Sequence, residues 1–257
     1  MRAEVEKVKP LFTPSHKKVL FFDVNQTIVA RSLSFEDGFK ETWREYTARM
    51  DTEDAEEWNE NAVYVKYRTA WQARDKMKQP GSDKQELQEM ALREAVRDAG
   101  LIVHKSFARD FFQHIRTKQH RSKTLVPHVL ETLQTLSPHY TLAIISNSRK
   151  EDIEALIRRF DLQRFFPGER CFTAVKLAEK KPNASLFKFA MKSLGVSPSQ
   201  CVMIGNSYRN DICGAWKAGI DAVWLQRNVP KKSIPPRRNQ KKLTVIKQFE
   251  QLLDLFK

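Results

Sequence analysis

Four short apolar runs constrain this chain more than anything else in it: residues 18–22, 141–146, 201–205 and 222–225. Each is strand-sized and β-prone, and each stops at polar loop residues. Apolar character that continues rather than alternates marks a strand buried on both faces, as in a parallel sheet. Helical patterns lie between the runs. Ser148 and Glu151 have capping-box spacing ahead of Ile153, Leu156 and Ile157. Asn183 can cap a helix over 184–194 with Gly195 as its left-handed stop, and Pro198 opens a new turn. Another helix is expected over 211–218, ended by Gly219, and a last one over 245–256. Strands alternating with helices give an α/β fold: a three-layer, Rossmann-like parallel sheet core.

Residues 35–121 read differently. They hold no convincing strand and are rich in Glu, Lys, Arg, Gln and Ala. Leu87, Met90, Ala91 and Ala95 recur at one-face helical spacing. The break at 79–82 and the stop at Gly100 divide the stretch, so about four helices are expected, inserted after the first strand. Trp43, Trp58 and Trp71 are expected to pack in the core of that insertion. The division is therefore an N-terminal tail (1–16), an α/β core (17–34 and 122–257) and a helical domain (35–121).

Composition narrows the class. Three cysteines in 257 residues cannot form a disulfide framework, and 8 Gly with 11 Pro exclude a collagen-like chain. No apolar run approaches the length of a membrane span, so no membrane association is expected. The first residues, MRAEVEKVKPLF, carry acids and no long apolar stretch, which reads as no secretory signal and, with reduced thiols, a cytoplasmic location. The charge is +14, from 45 Lys+Arg against 31 Asp+Glu. That excess suits an anionic partner and equally a solvated basic surface. Segment 229–242 concentrates it: Lys231, Lys232, Arg237, Arg238, Lys241 and Lys242 stand there without an acid. With no interleaved aromatics or zinc spacing, it reads as a solvated loop rather than a nucleic-acid site. Oligomeric state cannot be read from these features.

The first apolar run ends in Phe21-Phe22-Asp23-Val24-Asn25-Gln26-Thr27. An Asp just past the carboxyl end of a parallel strand lies where open α/β sheets place their ligands. The run resembles the first motif of the haloacid dehalogenase-like (HAD) hydrolase superfamily, Asp-x-Asp-x-Thr after four apolar residues. Three further motifs come after it in order: Ser146 in Ile-Ile-Ser-Asn-Ser, Lys181 before Pro182, and Gly205-Asn206-Ser-Tyr-Arg-Asn-Asp211. The resemblance covers about residues 17–227 and places a helical cap at 35–121. It implies that Asp23 is a nucleophile forming an aspartyl-phosphate. It implies that Ser146 hydrogen-bonds the phosphoryl oxygen, and that Lys181 offsets charge on nucleophile and phosphate. Asn25 takes the acid–base position. Thr27, Asn147 and Arg31 are candidate substrate-binding residues. A Mg²⁺ ion would be held by Asp23, Asn25, Asn206 and Asp211, and the partner is a small phosphorylated metabolite.

Two positions depart from the superfamily pattern. Asn25 stands where phosphatases keep the Asp that protonates the leaving oxygen, and an amide cannot carry that proton. Asn206 stands where an Asp usually ligates Mg²⁺, so an amide oxygen replaces a charged one. Three readings are open: a phosphatase of altered acid–base chemistry, a metal-independent dehalogenase-like hydrolase with Arg31 as its arginine, or a degenerate protein that binds a phosphorylated ligand or a partner. Spacing between positions 206 and 211 is phosphatase-like, which argues against the second; of the three, the first is favoured.

Overall fold

The computed structural model of the chain describes residues 13–31, 33–48, 58–79, 81–97, 101–227 and 243–256. They run through β1 (Val19–Phe22), β2 (Val29–Arg31), α1 (Phe35–Thr47), α2 (Glu60–Met77), α3 (Lys84–Arg97) and α4 (Lys105–Arg121). Then come β3 (Lys123–Leu125), α5 (Val129–Leu136), β4 (Thr141–Ser146), α6 (Lys150–Arg159), β5 (Cys171–Thr173) and α7 (Ala184–Ser193). The chain ends with β6 (Cys201–Gly205), α8 (Cys213–Lys217), β7 (Asp221–Leu225), β8 (Leu243–Ile246) and α9 (Leu252–Phe256). By its internal contacts the chain divides into two compact units: Arg31–Thr124, and the residues on either side of it.

In the larger unit six strands form one parallel sheet in the order β5-β4-β1-β6-β7-β8. Strand side chains alternate between faces, and both faces are covered. Leu20, Phe22, Leu142, Ile144, Val202 and Ile204 pack on one face with residues of α5, α6 and α9. Val19, Phe21, Ala143, Ile145 and Met203 pack on the other with residues of α7 and α8. That is the three-layer α/β arrangement, and it explains why these strands are continuously apolar through their middles rather than alternating. Phe22 pairs with Ile144 on one side and Ile204 on the other. The three central strands are therefore in step, and the loops at their carboxyl ends begin at one level.

The smaller unit is helical, with no strand among its described residues between 33 and 122. Ser34 caps α1, its hydroxyl accepting from the Asp37 amide at 3.0 Å. Phe39 and Trp43 of α1 share a core with Val63 and Tyr67 of α2, Leu92 of α3, and Phe111, Phe112 and Ile115 of α4. Trp43 is buried and donates to the Trp58 carbonyl at 2.7 Å, and Trp71 packs part-buried against the same cluster.

The structure corrects several local expectations. The 245–256 helix is instead β8, which adds to β7 at the sheet edge, then a 3-10 turn (Phe249–Gln251) and α9. Ser148 does not cap α6; Arg149 holds the cap position without a side-chain bond, since a guanidinium has no acceptor, and the Ser148 hydroxyl accepts from Asn25. Met90 is exposed, while Ala91, Leu92, Ala95 and Val96 form the buried stripe of α3. The 211–218 helix begins as a π turn (Tyr208–Ile212) and becomes α-helical at Cys213. Residues 1–12, Pro80, Gly100 and the basic segment 229–242 lie outside the described residues. No helix among the described residues is long and apolar enough to cross a membrane.

Candidate active site

The carboxyl ends of β1, β4 and β6 carry the candidate residues. Asp23 comes directly after β1, and its amide donates to the Ile204 carbonyl of β6 at 2.9 Å, which fixes where its side chain starts. Ser146 is the last residue of β4 and is buried, its hydroxyl accepting from the Ser148 amide at 3.2 Å. Lys181 comes from the loop before α7 and is 4% exposed. Its Nζ donates to Asp23 Oδ1, Asp211 Oδ1 and the Ile145 carbonyl, each at 2.7 Å. Lys180 makes none of these bonds.

Asp211 is 1% exposed and is held at both oxygens. Oδ1 accepts from Lys181, and Oδ2 accepts from the Ser207 amide at 2.9 Å. The wide π turn supplies that geometry, a form that recurs at functional sites. Gly205 makes room for it: a Cβ there would lie 2.4 Å from the Asp211 carboxyl carbon. No other residue type fits without displacing the carboxylate.

One ammonium thus serves two carboxylates. Burial pushes Asp23 up to about 6; Lys181 pulls it back down, and Asp211 adds to the rise. Asp23 is therefore mostly ionised at neutral pH, though less readily than a solvated carboxylate. Burial alone would lower Lys181, but Asp23 and Asp211 outweigh it and hold the lysine above its ordinary range. Lys181 is a fixed cation.

The remaining candidates occupy separate places. Asn25 Nδ2 donates to Ser148 Oγ at 3.0 Å. Thr27 is buried, and its hydroxyl makes a long 3.5 Å contact to Asn206 Oδ1. The Asn206 carbonyl accepts from Trp224 Nε1 at 2.9 Å. Asn147 spends both ends of its amide on the backbone of Lys181, at 2.8 and 2.9 Å. Arg31 lies in β2, and its side chain is outside the described ones. Sequence reasoning missed Ser148, the Ile145 carbonyl, the closeness that Gly205 permits, and Arg227. The Arg227 guanidinium reaches the Thr27 carbonyl at 3.5 Å, and burial lowers its pKa. Residue type and spacing alone carry no signal for any of the four.

Known proteins place this arrangement. Residues 20–225 match the haloacid dehalogenase-like hydrolase family. An N-acylneuraminate-9-phosphatase from Homo sapiens is 28% identical over 146 residues, 55% of this chain and 58% of that protein. An (S)-2-haloacid dehalogenase 4A from Burkholderia cepacia is 33% identical over 118 residues, 44% of this chain and 49% of that protein. The chain spans about half the length of the curated relatives it matches. The crystal structure of the HAD-hydrolase YfnB from Bacillus subtilis, bound to magnesium, superposes with a TM-score of 0.61 at 20% identity, covering 93% of this chain and 98% of that one. With the four motifs gathered at one end of the parallel sheet and the family match running through all of them, the chain belongs to the haloacid dehalogenase-like hydrolases.

Proposed function

We propose that this protein is a phosphatase acting on a small phosphorylated metabolite through an aspartyl-phosphate on Asp23. The observation that carries the reading is the Lys181 ammonium set 2.7 Å from both Asp23 and Asp211. It keeps one carboxylate ionised beside the place a phosphoryl group would enter. Asp23 attacks phosphorus, the P–O bond to the leaving group breaks, and water then cleaves the aspartyl-phosphate to release phosphate and restore Asp23. Ser146 and Lys181 offset charge on the transferring group. The leaving oxygen takes its proton from water, since Asn25 cannot supply one. The resemblance assigns residues 35–121 the role of cap.

The donor set fits a magnesium ion. Asp23 and Asn206 offer hard oxygens, and Mg²⁺ is commonly held by one or two carboxylates together with waters and substrate phosphate. Burial raises Asp23 to about 6, and a cation beside it would favour its ionised form. Asp23 and Asn206 would hold the ion, with Asn25 and Asp211 beside them; Asp211 already accepts at both oxygens. Bound there, it would supply positive charge against the negative charge of the phosphoryl group.

A second reading rests on Asn25. Its amide is committed to Ser148 and carries no transferable proton, and a halide leaving group needs none. The site then suits a 2-haloacid, with Asp23 attacking carbon and no metal required. A third has neither activity and keeps ligand binding alone. The deciding experiment assays the protein and its Asp23→Asn variant on an aryl phosphate with Mg²⁺ and on a 2-haloacid without it. Phosphate release that Asp23→Asn abolishes supports the proposal. Halide release with no phosphate release moves the assignment to the second reading. Full phosphatase activity in Asp23→Asn overturns the nucleophile.

A further inference from the structure

With Lys181 read as the charge-bearing residue of the site, on which this inference rests, the question is what holds it in place. Asn147 comes directly after β4, at the position sequence reasoning gave to substrate binding. Its side chain points elsewhere. Oδ1 accepts from the Lys181 backbone N–H at 2.8 Å, and Nδ2 donates to the Lys181 carbonyl at 2.9 Å. An amide has one strong acceptor and one donor group, and here both face the same residue 34 positions away. The loop carrying Lys181 has no strand pairing of its own at that point, so this clasp does what a ladder of backbone bonds would do.

The other end of Lys181 returns to the same strand. Its Nζ donates to the carbonyl of Ile145, two residues before Asn147. β4 and the residue that follows it therefore grip Lys181 twice, at its ammonium and at its backbone, and the side chain spans a fixed distance between the grips. Asp23 and Asp211 meet the ammonium at the point so defined. We infer that Asn147 is a positioning residue for Lys181: the clasp sets the ammonium between the two carboxylates before any ligand arrives. Pre-set charge is what electrostatic stabilisation of a transition state requires, because nothing then has to reorganise during the reaction. A group displaced by about 1 Å loses much of its effect.

A positioning residue and a substrate-binding residue differ in their kinetics. Losing a substrate contact raises KM; losing the placement of a charge felt in the transition state lowers kcat. The test uses Asn147→Ala in the full chain with two readouts. The first is steady-state hydrolysis of p-nitrophenyl phosphate with Mg²⁺, where kcat should fall about tenfold or more with KM within about twofold. The second needs no activity: acetylation of lysines by acetic anhydride, then peptide mass spectrometry. Lys17 is the internal control, because it is also buried, is paired with Asp221 at 2.7 Å, and lies at the opposite end of the sheet. Asn147→Ala should speed the acetylation of Lys181 and leave Lys17 unchanged. Faster labelling of both would mean general loosening and would overturn the inference, as would unchanged labelling with a rise in KM alone. If the parent protein hydrolyses no phosphate ester yet Lys181 alone labels faster, the clasp stands and the phosphatase reading fails.

Discussion

The two ends of the sheet each bury a lysine, and they use it differently. At the amino end Lys17 pairs with Asp221 at 2.7 Å and donates to the carbonyls of Ser199 and Cys201. Its side chain is 3% exposed, but that of Asp221 is 20% exposed and in reach of water. At the carboxyl end Lys181 is 2% exposed at its side chain and shared between Asp23, 13% exposed, and Asp211, 1% exposed. One arrangement ties the strand starts together. The other sets two carboxylates against one cation in a buried place; burial pushes Asp23 up, and Asp211 adds to the rise that Lys181 opposes. Chemistry gathers where charge is left incompletely balanced, since a fully satisfied ion pair has nothing to offer a ligand.

Removing each lysine is the harshest way to break that comparison. Lys181→Met strips the cation from two buried carboxylates, and breaking a buried ion pair from one side costs about 3–5 kcal/mol. Turnover should vanish with it. Lys17→Met leaves a carboxylate that can rehydrate, so the loss should be nearer about 1–3 kcal/mol. Activity per folded molecule should be unchanged, because Lys17 lies at the opposite end of the sheet from the site. Urea unfolding together with aryl phosphate turnover checks both. An equal loss of stability and of activity in the two variants would erase the distinction.

Adding charge sharpens the same contrast. Asn25→Asp returns the missing proton-transfer group, and such groups contribute on the order of 10²–10⁴-fold. Aryl phosphate turnover should rise, and more so for poor leaving groups, which need the proton more. The added carboxylate deepens the local negative charge, so stability without Mg²⁺ should drop and more of it should return on adding Mg²⁺ than in the parent. Adding Asn206→Asp should reinforce both effects, because the two changes build one site. Should neither the single nor the double variant gain activity, phosphate ester hydrolysis is not limited by that proton.

Much of the sheet is legible in the residues alone. Residues 141–146 and 201–205 show themselves as strands because both faces of the sheet are covered, so 142–145 and 201–204 are apolar without alternation. Cys171–Thr173 is invisible for the opposite reason: three residues hold no pattern, and their place comes from pairing with β4. Leu243–Ile246 is hidden by its C-terminal neighbours, since Phe249, Leu252 and Phe256 continue its apolar character at helical spacing. In the site, Asp23, Lys181 and Asp211 can be picked out by motif, and the structure brings them together. The partners that arrange them cannot. Asn147 reads as a substrate contact and Ser148 as a helix cap until the fold delivers Lys181 and Asn25 to them. Gly205 looks like any strand-end glycine until Asp211 is seen against it.

The smallest effect is the pH dependence of stability, where the surplus charge at the carboxyl end of the sheet should show itself. Asp23 has its folded pKa raised from 3.8 to about 6. The folded protein therefore holds this proton more tightly than the unfolded chain does. The group's contribution is fully present below about pH 3.8, declines as pH rises through about 6, and is gone above that. Two pKa units bound the effect at roughly 3 kcal/mol. Other carboxylates titrate in the same window, so the measurement is a difference: urea unfolding of the parent and of Asp23→Asn, with chelator present, at steps from pH 4 to pH 7.5. The parent should lose stability relative to the variant between pH 4 and 6, and the difference should level off near pH 7. Repeating the series in millimolar Mg²⁺ tests the metal assignment in the same experiment. A cation beside Asp23 favours its ionised form, lowers its folded pKa and flattens the slope. A slope of opposite sign would mean that Lys181 outweighs burial at Asp23. A slope that Mg²⁺ leaves untouched would mean that Asp23 and Asn206 do not hold the ion.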